Sequence, residues 1–298
     1  MSDRKRPHSP VDDPDQSNKR QEVDVASESE DDQRPTPKPN GSTPTTFEYK
    51  GHNYTLFQDW ECGYLDVLLF TQKHSISRLH DAEYFILDDP NPSTPSAGYR
   101  KEDFICMPAY DPSQGKLRHV VIDCSYVLCE GGTMEMSHMV VLNMINGEEI
   151  INSYIWPRTP VIDWDHDSND KTVTEQVLVN ASLDGGVLLG WEATRKKLAQ
   201  HVDAETVFVG AQLDVDLYAL RISHKNIFDY KIVDEDSTKN REAMRGTPHE
   251  QYPGDEYEGF EINTEADGSV DYYKWALIAR EISINCLKRP WVAYQLYR

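Results

Sequence analysis

The run His119-Val120-Val121-Ile122-Asp123 is mostly β-branched and ends in an aspartate. It is too short for a helix and too apolar for a strand with one face in water. It is read as a strand covered on both sides, which needs partner strands beside it and helices over it. The residues that follow supply both. Residues 139–144 and 149–155 bracket Asn146-Gly147, a pair that accepts the positive φ angles of a type I′ turn and so predicts a hairpin. Helices are predicted over 191–201, 213–222 and 269–287, strands over 206–209 and 227–233, and a long polar loop over 236–267. A hairpin followed by alternating helices and strands implies an α/β domain, a mixed sheet flanked by helices, over 117–287.

Upstream, residues 1–46 are rich in Ser, Pro and acids and hold Val11, Val23 and Val25 as their only large apolar residues. That composition predicts a disordered tail. Its basic clusters, Arg4-Lys5-Arg6 and Lys19-Arg20, have the spacing of a bipartite nuclear import signal. Read as charges scattered on a solvated tail, they leave the cytoplasm as the alternative location. Residues 47–110 read as a small α/β extension of unassigned role, with helical stretches at 64–70 and 75–84. No apolar run can span a bilayer, and no membrane association is expected. The five Cys are scattered without a CxxC pair, which argues against a disulfide framework and fits a reducing compartment. Net charge is −21, from 30 Lys+Arg and 51 Asp+Glu, so the surface as a whole repels a polyphosphate. Any nucleic acid would be held locally.

Several segments together carry a likeness. Val121-Ile122-Asp123-Cys124-Ser125-Tyr126-Val127 resembles the first motif of eukaryotic DEDD-type 3′→5′ RNA exonucleases, which usually reads Asp-Cys-Glu-Met-Val. Val209-Gly210-Ala211-Gln212-Leu213, running on to Asp216-Leu217, is similar to the second. Tyr154-Ile155-Trp156-Pro157, Val161-Ile162-Asp163-Trp164 and Ile227-Phe228-Asp229 resemble further family segments, in the family's order. The resemblance implies an RNase H-like fold and metal-dependent removal of nucleotides from single-stranded RNA 3′ ends.

Such hydrolysis uses two divalent ions about 4 Å apart. Mg²⁺ or Mn²⁺ takes oxygen ligands, hence four carboxylates. The resemblance puts the first at Asp123 and the third at Asp216. The second position holds Ser125, a short neutral hydroxyl. For the fourth, Asp271 heads a stripe with Trp275, Ile278 and Ile282, while an alternative alignment puts Tyr272 there and leaves no ligand. The catalytic and metal-binding candidates are therefore Asp123, Asp216 and Asp271. Counting back five from Asp271 gives Ala266, so the family's general-base His is missing, and Ala211 stands where the second motif usually has His. Loss of a general base costs about 10²–10⁴-fold in rate. His249 lies in the preceding loop and Asp214 beside Asp216 as possible substitutes. Arg195-Lys196-Lys197 is a candidate phosphate contact or an ordinary solvated helix face. The acids from Asp163 to Asp170 lack the central Gly and twelfth-position Glu of a calcium loop. Two functions stay open: an exonuclease hydrolysing RNA with metal held by three aspartates, or a catalytically dead relative that binds RNA or a protein partner.

Overall fold

The computed structural model describes residues 46–89, 94–95, 98–164, 173–183, 185–243 and 271–288. The N-terminal basic clusters, most of the 163–170 acidic run, His249 and Ala266 lie outside them.

Strands β1 (Thr46–Tyr49) and β2 (His52–Thr55) form a hairpin, followed by helices α1 (Asp59–Gln72) and α2 (Ile76–Asp81) and a short strand β3 (Ile105–Cys106). The apolar run predicted as a buried strand opens β4 (His119–Cys129), which continues to β5 (Met134–Asn143), β6 (Glu149–Trp156) and β7 (Val161–Asp163). Then come α3 (Glu175–Leu183), β8 (Val187–Leu189), α4 (Gly190–Leu198), β9 (Val207–Gly210), α5 (Leu213–Leu220), β10 (Ile222–Ser223), β11 (Ile227–Asp229), α6 (Tyr230–Ala243) and α7 (Tyr272–Lys288). The main sheet runs β11-β9-β4-β5-β6-β8. β4, β5 and β6 are antiparallel neighbours, and β9 and β11 add parallel on the other side of β4. This is the RNase H-like mixed sheet that the resemblance implied.

Alternation along β4 decides which helix each side chain meets. Val120, Ile122 and Cys124 join a cluster with Leu198 of α4 and Leu213, Leu217 and Leu220 of α5. Val121 joins Val140 and Leu142 of β5 and Ala276 and Ala279 of α7 on the opposite face. Both faces are buried, which accounts for the unbroken apolar run. The described part of the 47–110 stretch enters both clusters. Tyr54, Leu65 and Leu69 pack with α7, while Leu79, Tyr84 and Ile86 pack with α5.

Two local expectations are corrected. The β5–β6 connection spans residues 144–148 instead of a two-residue turn. Asn143 Oδ1 accepts from Ile145 N–H at 2.9 Å and Asn146 Oδ1 from Glu148 N–H at 3.0 Å, side-chain bonds that favour a wider loop. Gly147 still takes φ +72°, and an added Cβ would come within 2.8 Å of the Phe47 ring. The strand expected over 227–233 stops at Asp229, whose carboxylate accepts from Lys231 N–H at 2.9 Å and starts α6.

Candidate metal centre

Asp123 and Ser125 are two apart on β4 and share the α7-facing side with Val121. Ser125 is 1% exposed, and its hydroxyl has no hydrogen-bond partner among the described residues. Its cross-strand partner is His138 of β5, and the ladder shifts register immediately afterwards, at Ser125/Tyr126. The second carboxylate position is thus a sealed, neutral spot.

The third position forms where β9 turns sharply into α5. An added Cβ at Gly210 would sit 2.8 Å from both Ile122 O and Leu213 Cδ2, so only glycine lets the turn pass against β4. Asp229 then holds the start of α5. Its carboxylate accepts from Gln212 N–H at 3.2 Å, Leu213 N–H at 3.0 Å and Tyr84 O–H at 2.6 Å. His74 Nε2 lies 2.9 Å from Asp229 O. Asp216, one turn further on, is 2% exposed. It accepts from the Tyr126 hydroxyl and is hydrogen-bonded by Cys124. Burial, then the neighbouring Asp123 charge, pushes its carboxyl well above the usual carboxylate range. Asp214, half-buried, rises to about 6, through burial first and the Asp229 charge second. Burial and then Asp123 and Asp229 likewise raise the Tyr230 phenol.

Asp123 thus lies within electrostatic reach of Asp216, and so does Asp229, which the site prediction left out. Its signal was legible: Ile227-Phe228-Asp229 repeats the apolar-run-then-Asp pattern of Val121-Ile122-Asp123. Asp271 sits in another setting. Its Oδ2 pairs with Lys50 Nζ of the β1–β2 turn at 2.7 Å, and its Oδ1 accepts from Lys274 N–H at 3.0 Å, capping α7. The neighbouring Tyr272 is the residue that turns to the sheet, stacked on His138 with ring centroids 3.9 Å apart. Of the stripe expected through Trp275, Ile278 and Ile282, Ile278 is buried and the other two are half-buried, while Tyr272, Ala276, Ala279 and Ser283 are all buried. One residue of helical phase, about 100°, separates the two readings.

The basic trio on α4 is largely used in packing. Arg195 Nη1 donates to Asp103 O at 2.9 Å and Arg221 O at 3.0 Å, and its guanidinium lies 4.7 Å over the Trp191 ring. Lys197 donates to Ser153 Oγ at 2.9 Å.

A pair of hard divalent ions asks for several anionic oxygens aimed at one point. This donor set does not fit it. Asp216 already accepts at Oδ1 from Tyr126 and is hydrogen-bonded by Cys124, and the second carboxylate position is a hydroxyl. Among the described residues, no group of three or more His, Cys, Asp or Glu is arranged to hold a metal ion.

No protein-family model matches the chain. It is 25% identical over 121 residues to RNA exonuclease 3 of Candida albicans, covering 41% of this chain and 27% of that protein. To Small RNA degrading nuclease 3 of Arabidopsis thaliana it is 30% identical over 118 residues, covering 40% of this chain and 14% of that protein. The chain thus spans at most about a quarter of these relatives' length. The Neurospora crassa Pan2 catalytic unit (protease and nuclease domain) aligns with TM-score 0.41 at 15% identity, covering 74% of this chain and 32% of that one. A Saccharomyces cerevisiae Pan2 module in complex with AAGGAA RNA aligns with TM-score 0.42 at 14% identity, covering 65% and 34%. An RNase H-like sheet with an aspartate midway along its central strand and a second in the helix after the Gly turn has the form of a DEDD-type nuclease fold. Joined to the sequence relatives, the ordered motifs give the branch that the chain resembles: over about 120 residues it is similar to RNA exonucleases of the DEDD type, with degenerate motifs.

Proposed function

We propose that this chain binds single-stranded RNA, at a 3′ end, through an exonuclease fold that no longer hydrolyses it. The observation that carries the reading is Ser125: the position that should contribute a second anionic ligand is a buried hydroxyl without a partner. The hydrogen bond from the Tyr126 hydroxyl to Asp216 supports it, because it occupies an oxygen that a hard cation would use. So does the pairing of Asp271 with Lys50. RNA as ligand is supported by the relatives named as RNA exonucleases and by the yeast Pan2 module seen with RNA. With a net charge of −21, that binding is local and salt-sensitive.

The test uses the full chain and a labelled single-stranded RNA, with and without Mn²⁺. The expected result is saturable binding that survives chelation, with the RNA remaining full length. Stepwise shortening from the 3′ end that disappears in Asp216→Ala would overturn it in favour of a working exonuclease. A second reading, a protein-binding module, is favoured by Tyr64, Val67 and Phe70, which are 53%, 58% and 66% exposed at i, i+3 and i+6 of α1. Absence of RNA binding would select it. The clusters Arg4-Lys5-Arg6 and Lys19-Arg20 are assigned to nuclear import. Neutralising all five should move a fluorescent fusion to the cytoplasm, and unchanged nuclear signal would dismiss the role.

A further inference from the structure

Ser125 and His138 face each other across β4 and β5. Paired residues on neighbouring antiparallel strands point to the same side, with Cβ atoms about 5 Å apart. That side is the one α7 covers, and its first residue, Tyr272, lies flat on His138 at 3.9 Å and 22°. Tyr154 closes the edge, 4.8 Å from the His138 ring at 67° and 6.3 Å from the Tyr272 ring at 89°. His138 is 2% exposed and Tyr272 7%. The His138 ring, with Tyr272 stacked on it and Tyr154 on its far side, stands next to Ser125 on the face toward which a longer carboxylate side chain would reach.

We infer that packing has replaced metal binding at this site: the Tyr272–His138 stack is a plug over the second ligand position, held down by the β1–β2 hairpin. The hairpin grips α7 at three places, two at its start and one midway. Lys50 pairs with Asp271 at 2.7 Å. Tyr49 meets Tyr273 edge-on at 4.8 Å. Thr55 donates its N–H and hydroxyl to Glu281 at 2.8 and 2.7 Å. Turning α7 by one residue, so that Asp271 faced β4, would break the first two. The inference deepens the non-hydrolysing reading and rests on it: Ser125→Glu alone leaves the site closed.

The experiment is a double-mutant cycle on the full chain, read by thermal unfolding and by Mn²⁺ binding. Ser125→Glu in the native background drives a longer charged side chain against the rings and should lower the Tm by more than 5 °C. In a Tyr272→Ala background the same change should cost less than half as much. Ser125→Glu/Tyr272→Asp should bind Mn²⁺ at least tenfold more tightly than either single variant. Equal losses of Tm in the two backgrounds, or failure of Ser125→Glu to fold in both, would overturn the plug. Mn²⁺ binding by Ser125→Glu alone as tight as by the double variant would do the same. Shortening of RNA by the unaltered chain sinks the non-hydrolysing reading instead, a result the Tm cycle cannot imitate.

Discussion

His224 is one of two buried histidines that make stability depend on pH. Its ring is buried, stacked on Phe208 at 4.1 Å, with Nε2 donating to Thr206 O at 2.7 Å. Burial above all lowers its pKa from 6.5 to about 4. Between those values the unfolded chain binds a proton that the folded chain does not, so stability rises with pH. His224 contributes no penalty above about pH 6.5, and its cost grows as pH falls to 4, reaching about 3 kcal/mol. Burial lowers His119 to about 4 as well. Chemical unfolding from pH 7 to 4 should show a falling midpoint, and His224→Gln should flatten that fall while lowering the plateau at pH 7. An identical slope in the variant would remove His224 from the account. At the same scale, Asp123 and Asp216 were legible because each has a fixed partner in sequence, the apolar run before Asp123 and the Val-Gly turn before Asp216. The direction of Asp271 was not, because one residue of phase on α7 exchanges it for Tyr272.

Besides its apolar face, α7 is positioned by a buried guanidinium. Arg280 is 0% exposed, and its Nε and Nη2 each donate to a carbonyl of the β5–β6 loop, Met144 O and Ile145 O, at 2.7 Å. Its Nη1 bonds Glu281 at 2.8 Å, and that carboxylate also takes Thr55. One guanidinium thereby ties helix, hairpin loop and β2 together. Arg280→Ala leaves buried carbonyls and a carboxylate without partners, and should destabilise the protein by about 3–5 kcal/mol in urea unfolding. A loss below about 1 kcal/mol would show that water replaces the guanidinium. Strands β4, β9 and β11 and helices α4, α5 and α7 were readable from apolar periodicity, since the sheet buries both of its faces. Helix α6 was not: Asp234, Glu235 and Asp236 dominate its first turns, and its apolar Ile232 and Val233 extend the preceding run of Ile227 and Phe228. The β5–β6 loop is set by Asx turns at Asn143 and Asn146, which the Asn-Gly pair alone does not distinguish from a two-residue turn.

Across the whole molecule, both cores draw on residues from before β4. Tyr54, Leu65 and Leu69 complete the cluster under α7, and Leu79 and Tyr84 the one under α5. A fragment beginning at residue 98 would expose both clusters and lose the Tyr84 hydroxyl from Asp229. It should lack a cooperative thermal transition, whereas residues 43–298 should retain one. A cooperative transition in the shorter fragment would mean that the stretch before β4 is an appendage. The proposal at this scale is that an RNase H-like sheet persists here without a pair of metal ions. Anomalous diffraction from crystals of the full chain soaked in Mn²⁺ tests it most directly. The account predicts no pair of peaks between Asp123 and Asp216, while two peaks about 4 Å apart with Asp123 between them would contradict it.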